Sequence, residues 1–269
     1  MALPVSPDKR LGQNFLVHTP TLERICASAR LTPPDEVVEI GPGLGHLTRV
    51  LLKSGARVSS IEKDPRLADV LSEEITSNRR FSLIRADILD VGFDRFFKSS
   101  PLKLVSNLPY SITSPVLKML AGGRSMFSLA VLMVQKEVAL RVCARPGTRE
   151  AGAISLSIQM VFDAEKLFDV PPSRFKPRPA VTSSVIRLTP LSAPRIPVLS
   201  EEFFSKTVRA AFSVRRKMVR NSLLSAFEKN DVLRALDEAG VSGGARAESL
   251  TLEQFARISD RLFESAGGT

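Results

Sequence analysis

The sequence predicts an α/β protein with an open sheet, followed by a small all-α domain. Three observations carry this expectation. Short apolar runs alternate with helical stretches through the first part of the chain. A glycine turn follows one run and acidic residues close the next two, which puts three candidate ligand contacts at one sheet edge. Residues 189–199 then carry three prolines, and beyond them the pattern is helical only. The domains therefore divide as residues 1–189 and 190–269.

Residues 8–16 read D-K-R-L-G-Q-N-F-L. They serve equally as a leader packing Phe15 and Leu16 on the core or as a lid over a ligand. A helix starts near Thr19-Pro20 and carries Leu22, Ile25, Cys26 and Ala29 on one face. Residues 36–40 form a strand that ends in G-P-G-L-G-H-L-T, Gly41 to Thr48, and a helix follows. Glycines let backbone approach a ligand closely. The strand at residues 57–61 ends in Glu62, about 20 residues after the glycines, where an acid can hold a ribose diol. Asp64-Pro65 caps the next helix, and the strand at residues 81–86 ends in Asp87, which suits an adenine amine. The spacing is G-x-G-x-G rather than G-x-G-x-x-G, and Glu39 before it would repel a pyrophosphate. A ligand with a cationic centre, such as S-adenosylmethionine, fits better than a dinucleotide.

Residues 102–106 read as a buried strand, and Thr113-Ser114-Pro115 as a helix start. Between them lies Asn107-Leu108-Pro109-Tyr110, at the carboxyl end of a strand, where open α/β sheets bind ligands. Asn107 offers an acceptor and a donor, Pro109 a fixed carbonyl, and Tyr110, the only tyrosine, a face for stacking. Together they suit a grip on the exocyclic amine of a nucleobase.

A helix at 115–120, a strand at 128–134, a charged helix at 135–145 and a polar loop at 147–152 come next. Residues 154–162 and 181–188 read as strands of a hairpin. The loop between them, P-P-S-R-F-K-P-R-P, sets Phe175 between Arg174 and Lys176, with Arg178 beyond, and reads as a stacking aromatic on a stiff loop. Helices are expected at 200–212, 216–228, 231–239 and 251–264, with Ser200, Asp231 and Thr251 as N-caps.

The net charge of +10 points to a polyanionic partner. It is clustered: between Val170 and Ser200 lie Arg174, Lys176, Arg178, Arg187 and Arg195 with no acid, and between Lys206 and Arg220 lie six cations, including Arg215, Arg216 and Lys217, with no acid. That clustering suits a phosphate-binding surface. Two cysteines fit a reducing compartment, and two histidines with no Cys/His cluster give no reason to expect a metal. No run is long enough to span a membrane, and residues 1–10 lack a signal-peptide apolar region, so a cytoplasmic protein is expected.

Taken together, the chain resembles the small-subunit ribosomal RNA adenine dimethyltransferases of the KsgA (RsmA) type over nearly its whole length. The resemblance rests on G-Q-N-F-L, E-I-G-P-G-L-G-H-L-T, Glu62, Asp87, N-L-P-Y, Q-K-E-V-A (Gln135 to Ala139), F-K-P-R-P-A-V-T-S (Phe175 to Ser183), A-F-S-V-R-R-K (Ala211 to Lys217) and N-S-L (Asn221 to Leu223). One departure is Ala151, where the family often has Tyr before a glycine. The resemblance implies a class I, Rossmann-like methyltransferase sheet, seven-stranded and mostly parallel with one antiparallel edge strand, plus a helical C-terminal domain that contributes to rRNA binding. It implies S-adenosylmethionine as donor and dimethylation of two adjacent adenosines in a hairpin loop near the end of small-subunit rRNA, within a pre-ribosomal 30S particle; the alternatives are a non-catalytic ribosome assembly factor and an enzyme that dimethylates an adenine of large-subunit rRNA, and a monomer is expected. Asn14, Leu16, Gly41, Gly43, Glu62, Lys63, Asp87, Ile88 and Asn107 are the implied cofactor contacts. Asn107, Pro109, Tyr110 and Phe175 form the implied catalytic set, with Tyr110 and Phe175 sandwiching the base. Arg174, Lys176, Arg178, Arg215, Arg216, Lys217 and Arg220 are the expected RNA contacts.

Overall fold

The computed structural model describes residues 5, 13–75, 77–94, 101–214 and 217–268. The chain forms two compact units, Met1–Ala139 with Asp163–Pro190, and Leu140–Phe162 with Leu191–Thr269.

The first unit opens with β1 (Phe15–Leu16) and α1 (Thr19–Ser28). Then come β2 (Glu36–Ile40), α2 (His46–Lys53), β3 (Arg57–Glu62), α3 (Pro65–Ile75), β4 (Phe81–Arg85), α4 (Ile88–Val91), β5 (Leu102–Asn107), α5 (Thr113–Gly122) and β6 (Phe127–Gln135). Helix α6 (Lys136–Val142) leads out of this unit, α7 (Ala153–Gln159) belongs to the second, and the first resumes with β7 (Phe162–Val170), β8 (Phe175–Lys176) and β9 (Ser183–Pro190). Seven of the described strands make one sheet in the order β4-β3-β2-β5-β6-β9-β7. From β4 to β6 neighbours are parallel, and β9 runs antiparallel to β6. The antiparallel strand is therefore second from the edge, not at it. Strands β2 and β5 are buried along most of their length, polar residues included, because both faces of a parallel sheet are covered. The core gathers Leu22 and Ile25 of α1, Leu47 and Leu51 of α2, Leu71 of α3 and Val37, Val58, Val105 and Val131 of the strands. Chain order reverses between β2 and β5, so the turns leaving these two strands diverge and open a crevice at their carboxyl ends.

The second unit carries α8 (Glu201–Ala211), α9 (Val219–Leu223), α10 (Lys229–Glu238) and α11 (Leu252–Ser265). Ser200 caps α8 by accepting from the Phe203 N–H, and Glu201 and Glu202 complement the positive end of the helix dipole. Thr251 and Gln254 form a reciprocal capping box at α11. Phe203 packs edge-on to Phe263 and Phe212 stacks on Phe255, which ties α8 to α11.

Several expectations change. Residues 154–162 are not a strand: Ala153–Gln159 is helix α7, started by Gly152, whose N–H donates to the Ser155 hydroxyl. An apolar run this short satisfies periods of 2 and 3.6 almost equally. The partner of β9 is instead β7, which begins where the expected strand ended. The α7 segment also groups with the helical unit, so the first unit is interrupted at residues 140–162. The helix expected at 216–228 is shortened to α9, followed by Ser225, whose hydroxyl binds the Ser222 carbonyl and competes with the helix. Helix α10 starts after Glu228, so Asp231 lies in its first turn rather than at its cap.

Candidate active site

The turns after β2, β3, β4 and β5 enclose a cavity of about 150 Å³ within the first unit. Its lining includes Asn14, Leu16, Gly41, Gly43, Glu62, Lys63, Asp87, Ile88, Asn107, Pro109 and Tyr110, so the structure brings together every residue expected at the cofactor.

The two turns at the switch point touch. Gly41 has φ +64°, and a Cβ there would lie 3.0 Å from Cγ of Pro109. A side chain would push the glycine turn off the Asn107–Tyr110 turn. Gly43, at φ +59°, packs under the Phe15 ring and donates its N–H to Glu62 at 3.1 Å. The other Glu62 oxygen accepts from the Asp64 N–H at 2.8 Å. Burial outweighs these bonds and pushes the Glu62 carboxyl up. Asp87 caps α4 through the Leu89 N–H and accepts from Lys63 Nζ at 2.6 Å. Burial pulls its carboxyl up, but the Lys63 and Leu89 bonds prevail and hold it below the usual range.

Glu39 lies under the glycine turn and is buried. One of its oxygens accepts from the Thr48 hydroxyl at 2.7 Å and from the Ser60 hydroxyl at 2.8 Å. Burial is the main reason its carboxyl rises to about 7, with the neighbouring Glu62 adding to it. His46 also lines the cavity, and burial followed by the Arg49 charge lowers its pKa, favouring the neutral ring.

Asn107 donates its amide N–H to the Asn14 carbonyl at 3.5 Å, which leaves its own carbonyl oxygen to accept from a ligand. The Pro109 carbonyl is already engaged: it accepts from the Ile112 N–H at 3.1 Å and the Thr113 hydroxyl at 3.4 Å in a 3₁₀ turn. Tyr110 is half-buried at the start of that turn, and its hydroxyl lies 2.7 Å from Ser183 Oγ.

Phe175 does not join this set. It is 2% exposed, sits in the core, and pairs across an antiparallel ribbon with Leu16. In a strand successive side chains alternate, so Phe175 points inward while Lys176 is exposed. Of the flanking charges, Lys176 marks the outer face of the strand and Arg174 ends the 3₁₀ turn before it, so the ring is not on a stacking loop. Its effect on the cavity is indirect: β8 holds β1, and β1 carries Asn14 and Leu16 to the rim. Residue Gln13, which composition did not single out, ties the same segment down through Asp64 at 2.9 Å. Arg66 also binds Asp64 and is the largest reason that carboxyl falls to about 2. Gln13 and Ser183 both sit inside quoted motifs, and that was their only signal in the sequence.

Of the expected RNA contacts, Lys176, Arg178 and Lys217 are exposed and Arg174 and Arg220 half-buried; Arg215 and Arg216 lie outside the described residues. Two other clustered cations have structural work: Arg187 pairs with Glu165, and Arg195 binds the carbonyls of Gln159 and Phe162. Among the described residues, no cluster of acids, histidines and cysteines could hold a metal, and no helix is long and apolar enough to cross a membrane.

The cavity lining carries Glu62, Asp64 and Asp87 beside Lys63, while Glu39, buried beneath the glycine turn with its carboxyl raised to about 7, adds only part of a charge. Such a rim fits a ligand with cationic centres and a ribose, and opposes a pyrophosphate. A glycine turn, with Glu62 and Asp87 at the ends of the next two strands, has the donor set and space to fit S-adenosylmethionine.

The family profile for ribosomal RNA adenine dimethylase matches residues 6–264. A ribosomal RNA small subunit methyltransferase A from Halothermothrix orenii is 42% identical over 264 residues, covering 95% of this chain and 88% of that one. One of the same description from Pelotomaculum thermopropionicum is 40% identical over 276 residues, covering 98% and 94%. Among solved structures, a dimethyladenosine transferase from Plasmodium falciparum superposes with TM-score 0.77 at 24% identity, covering 94% of this chain and 98% of that one. The 23S rRNA methyltransferase ErmE superposes with TM-score 0.67 at 31% identity, covering 92% and 99%.

Proposed function

Since the chain belongs to the ribosomal RNA adenine dimethylase family, we propose that it uses S-adenosylmethionine to dimethylate the exocyclic amines of two adjacent adenosines in the 3′-terminal hairpin loop of small-subunit rRNA, within a pre-30S particle in the cytoplasm. The single observation behind the reading is the contact between the glycine turn and the Asn107–Tyr110 turn at the switch point, inside an acid-rimmed cavity. The names of the 40–42% identical relatives support the small subunit as target. The likeness to ErmE supports a large-subunit adenine as the competing target, and mapping of the modified nucleosides separates the two.

When bound, S-adenosylmethionine supplies a methyl group on a sulfonium. Glu62 would hold its ribose, Asp87 its adenine, and the Gly41–Gly43 backbone and Asn14–Leu16 its remaining surface. The protein's own work is to hold the target amine. That nitrogen is a poor nucleophile because its lone pair is delocalised into the ring. The Asn107 carbonyl accepts one of its hydrogens and pulls it towards tetrahedral geometry, which frees the lone pair. Asn107 is fixed for this by the bond from its amide to Asn14. The Pro109 carbonyl already accepts from the Ile112 N–H and, at longer range, from the Thr113 hydroxyl, so it can share a hydrogen of the amine only where that hydroxyl turns away. Tyr110 presents a ring on which an unstacked base rests. Burial pushes its phenol up, so it stays protonated and is no base at neutral pH. None is needed, because the proton lost after attack passes to water. Positioning therefore carries most of the gain.

The test is incubation with labelled S-adenosylmethionine and undermethylated small subunits, followed by nucleoside mapping. Label in two adjacent dimethyladenosines is expected. Asn107→Ala should lower turnover by roughly 10²-fold, the scale of other lost polar transition-state contacts. Full turnover in that variant would remove Asn107 from the mechanism.

A further inference from the structure

We propose that Ser183 is a positioning residue: its buried hydroxyl anchors the phenol of Tyr110 and so fixes the axis of the ring beside which the target base would stack. The role of the ring in stacking rests on the adenine-methylation reading; the anchor itself does not.

Ser183 is 0% exposed, and its oxygen lies 2.7 Å from the Tyr110 hydroxyl across 73 residues of sequence. A buried hydroxyl needs a partner, and this one finds it in a ring that lines the cavity. Val185, two residues on and therefore on the same face of β9, is apolar and buried, so a small apolar side chain would satisfy packing at this position. The partner that gives the Ser183 hydroxyl its use is the ring.

The anchor is attached to a stiff part of the sheet. Ser183 opens β9 opposite Gln135, the last residue of β6. The Lys136 N–H donates to the Thr182 carbonyl at 3.0 Å. Ser184 donates to Asp169 at 2.7 Å, and Asp169 also accepts from Lys136 at 2.8 Å and Lys166 at 2.7 Å. The other end of Tyr110 is fixed by the backbone of its 3₁₀ turn, and the preceding Leu108 N–H binds the Met133 carbonyl at the end of β6. A ring held at both its Cα and its hydroxyl has one axis in space. Preorganisation of this kind, supplied by a supporting side chain, is what keeps a reacting geometry within tolerance.

The protein offers a clean readout, because Tyr110 is the only tyrosine and there is no tryptophan. The tyrosine band in the near-ultraviolet circular dichroism spectrum therefore reports on this ring alone. Ser183→Ala is expected to weaken that band in the free protein and to lower turnover on small-subunit RNA by about tenfold to a hundredfold. Affinity for S-adenosylmethionine should stay within about twofold, since Ser183 does not line the cavity and Tyr110 is not among the expected cofactor contacts, and Ser183→Thr should restore band and rate together. Tyr110→Phe deletes the same bond from the other end. It should lose the same factor in rate, and the double variant should lose no more than either single one.

An unchanged tyrosine band, an unchanged rate, or losses that multiply in the double variant would each overturn the anchor. If Ser183→Ala does not fold, Tyr110→Phe decides alone: full turnover removes the role. If the wild-type protein transfers no label to RNA, the functional reading fails, while the band comparison still judges the Ser183–Tyr110 link.

Discussion

Glu39 shows how one buried side chain sets a solution property. The folded chain holds its carboxyl at about 7, against an ordinary value of 4.5. It therefore binds its proton more tightly when folded than when unfolded. The stabilisation this provides is complete below about pH 4.5 and disappears as pH rises through about 7. Thermal unfolding of the wild type should shift to lower temperature from about pH 5 to pH 8, and Glu39→Gln should flatten that slope, by an amount on the order of 2–3 kcal/mol. Melts of both proteins across that range check it, and parallel slopes would reject it. The sequence placed Glu39 beside the glycines and read its charge as hostile to pyrophosphate. It could not show that Thr48 and Ser60 hydroxyls enclose the group, because those partners lie 9 and 21 residues away in the chain.

At the scale of elements, the two-residue ribbon of β1 and β8 decides what Phe175 does. Its ring fills the core beneath the segment that carries Asn14 and Leu16. Phe175→Ala should cost about 3–5 kcal/mol of stability, as large core truncations do, and should weaken cofactor binding by loosening β1. Lys176→Ala, one residue along on the outer face, should stay within about 0.5 kcal/mol. Denaturant unfolding measures the first pair of values and equilibrium binding the second. A Phe175→Ala protein of wild-type stability would return this ring to the list of stacking candidates. The strands around the cavity were legible from their apolar runs, and their ends from Glu62, Asp87 and Asn107. The α7 helix and the β1–β8 ribbon were not, since elements this short carry too few residues for a period to declare itself.

For the whole molecule, a charge of +10 favours association with a polyanion, and the question is which cations are free to make it. Arg187 and Arg195 are taken up by internal bonds, which leaves Lys176, Arg178 and Lys217 among the exposed cations. Reversing Arg215, Arg216 and Lys217 to Glu should weaken rRNA binding and flatten its dependence on salt by about one unit of log–log slope per lost phosphate contact, with cofactor affinity intact. Filter binding across a salt series tests this, and a wild-type slope would reassign those cations to solvation.

The sequence by itself determined the parallel strands, the glycine turn, the acids that close the following strands and the Asn107–Tyr110 turn. Each of these is a local pattern written in adjacent residues. Only the tertiary structure decided that Phe175 is core, that residues 140–162 join the helical unit, and that Ser183 reaches Tyr110. Those outcomes depend on which distant segment packs against which, and free energy of that kind resides in contacts that the linear order of residues does not display.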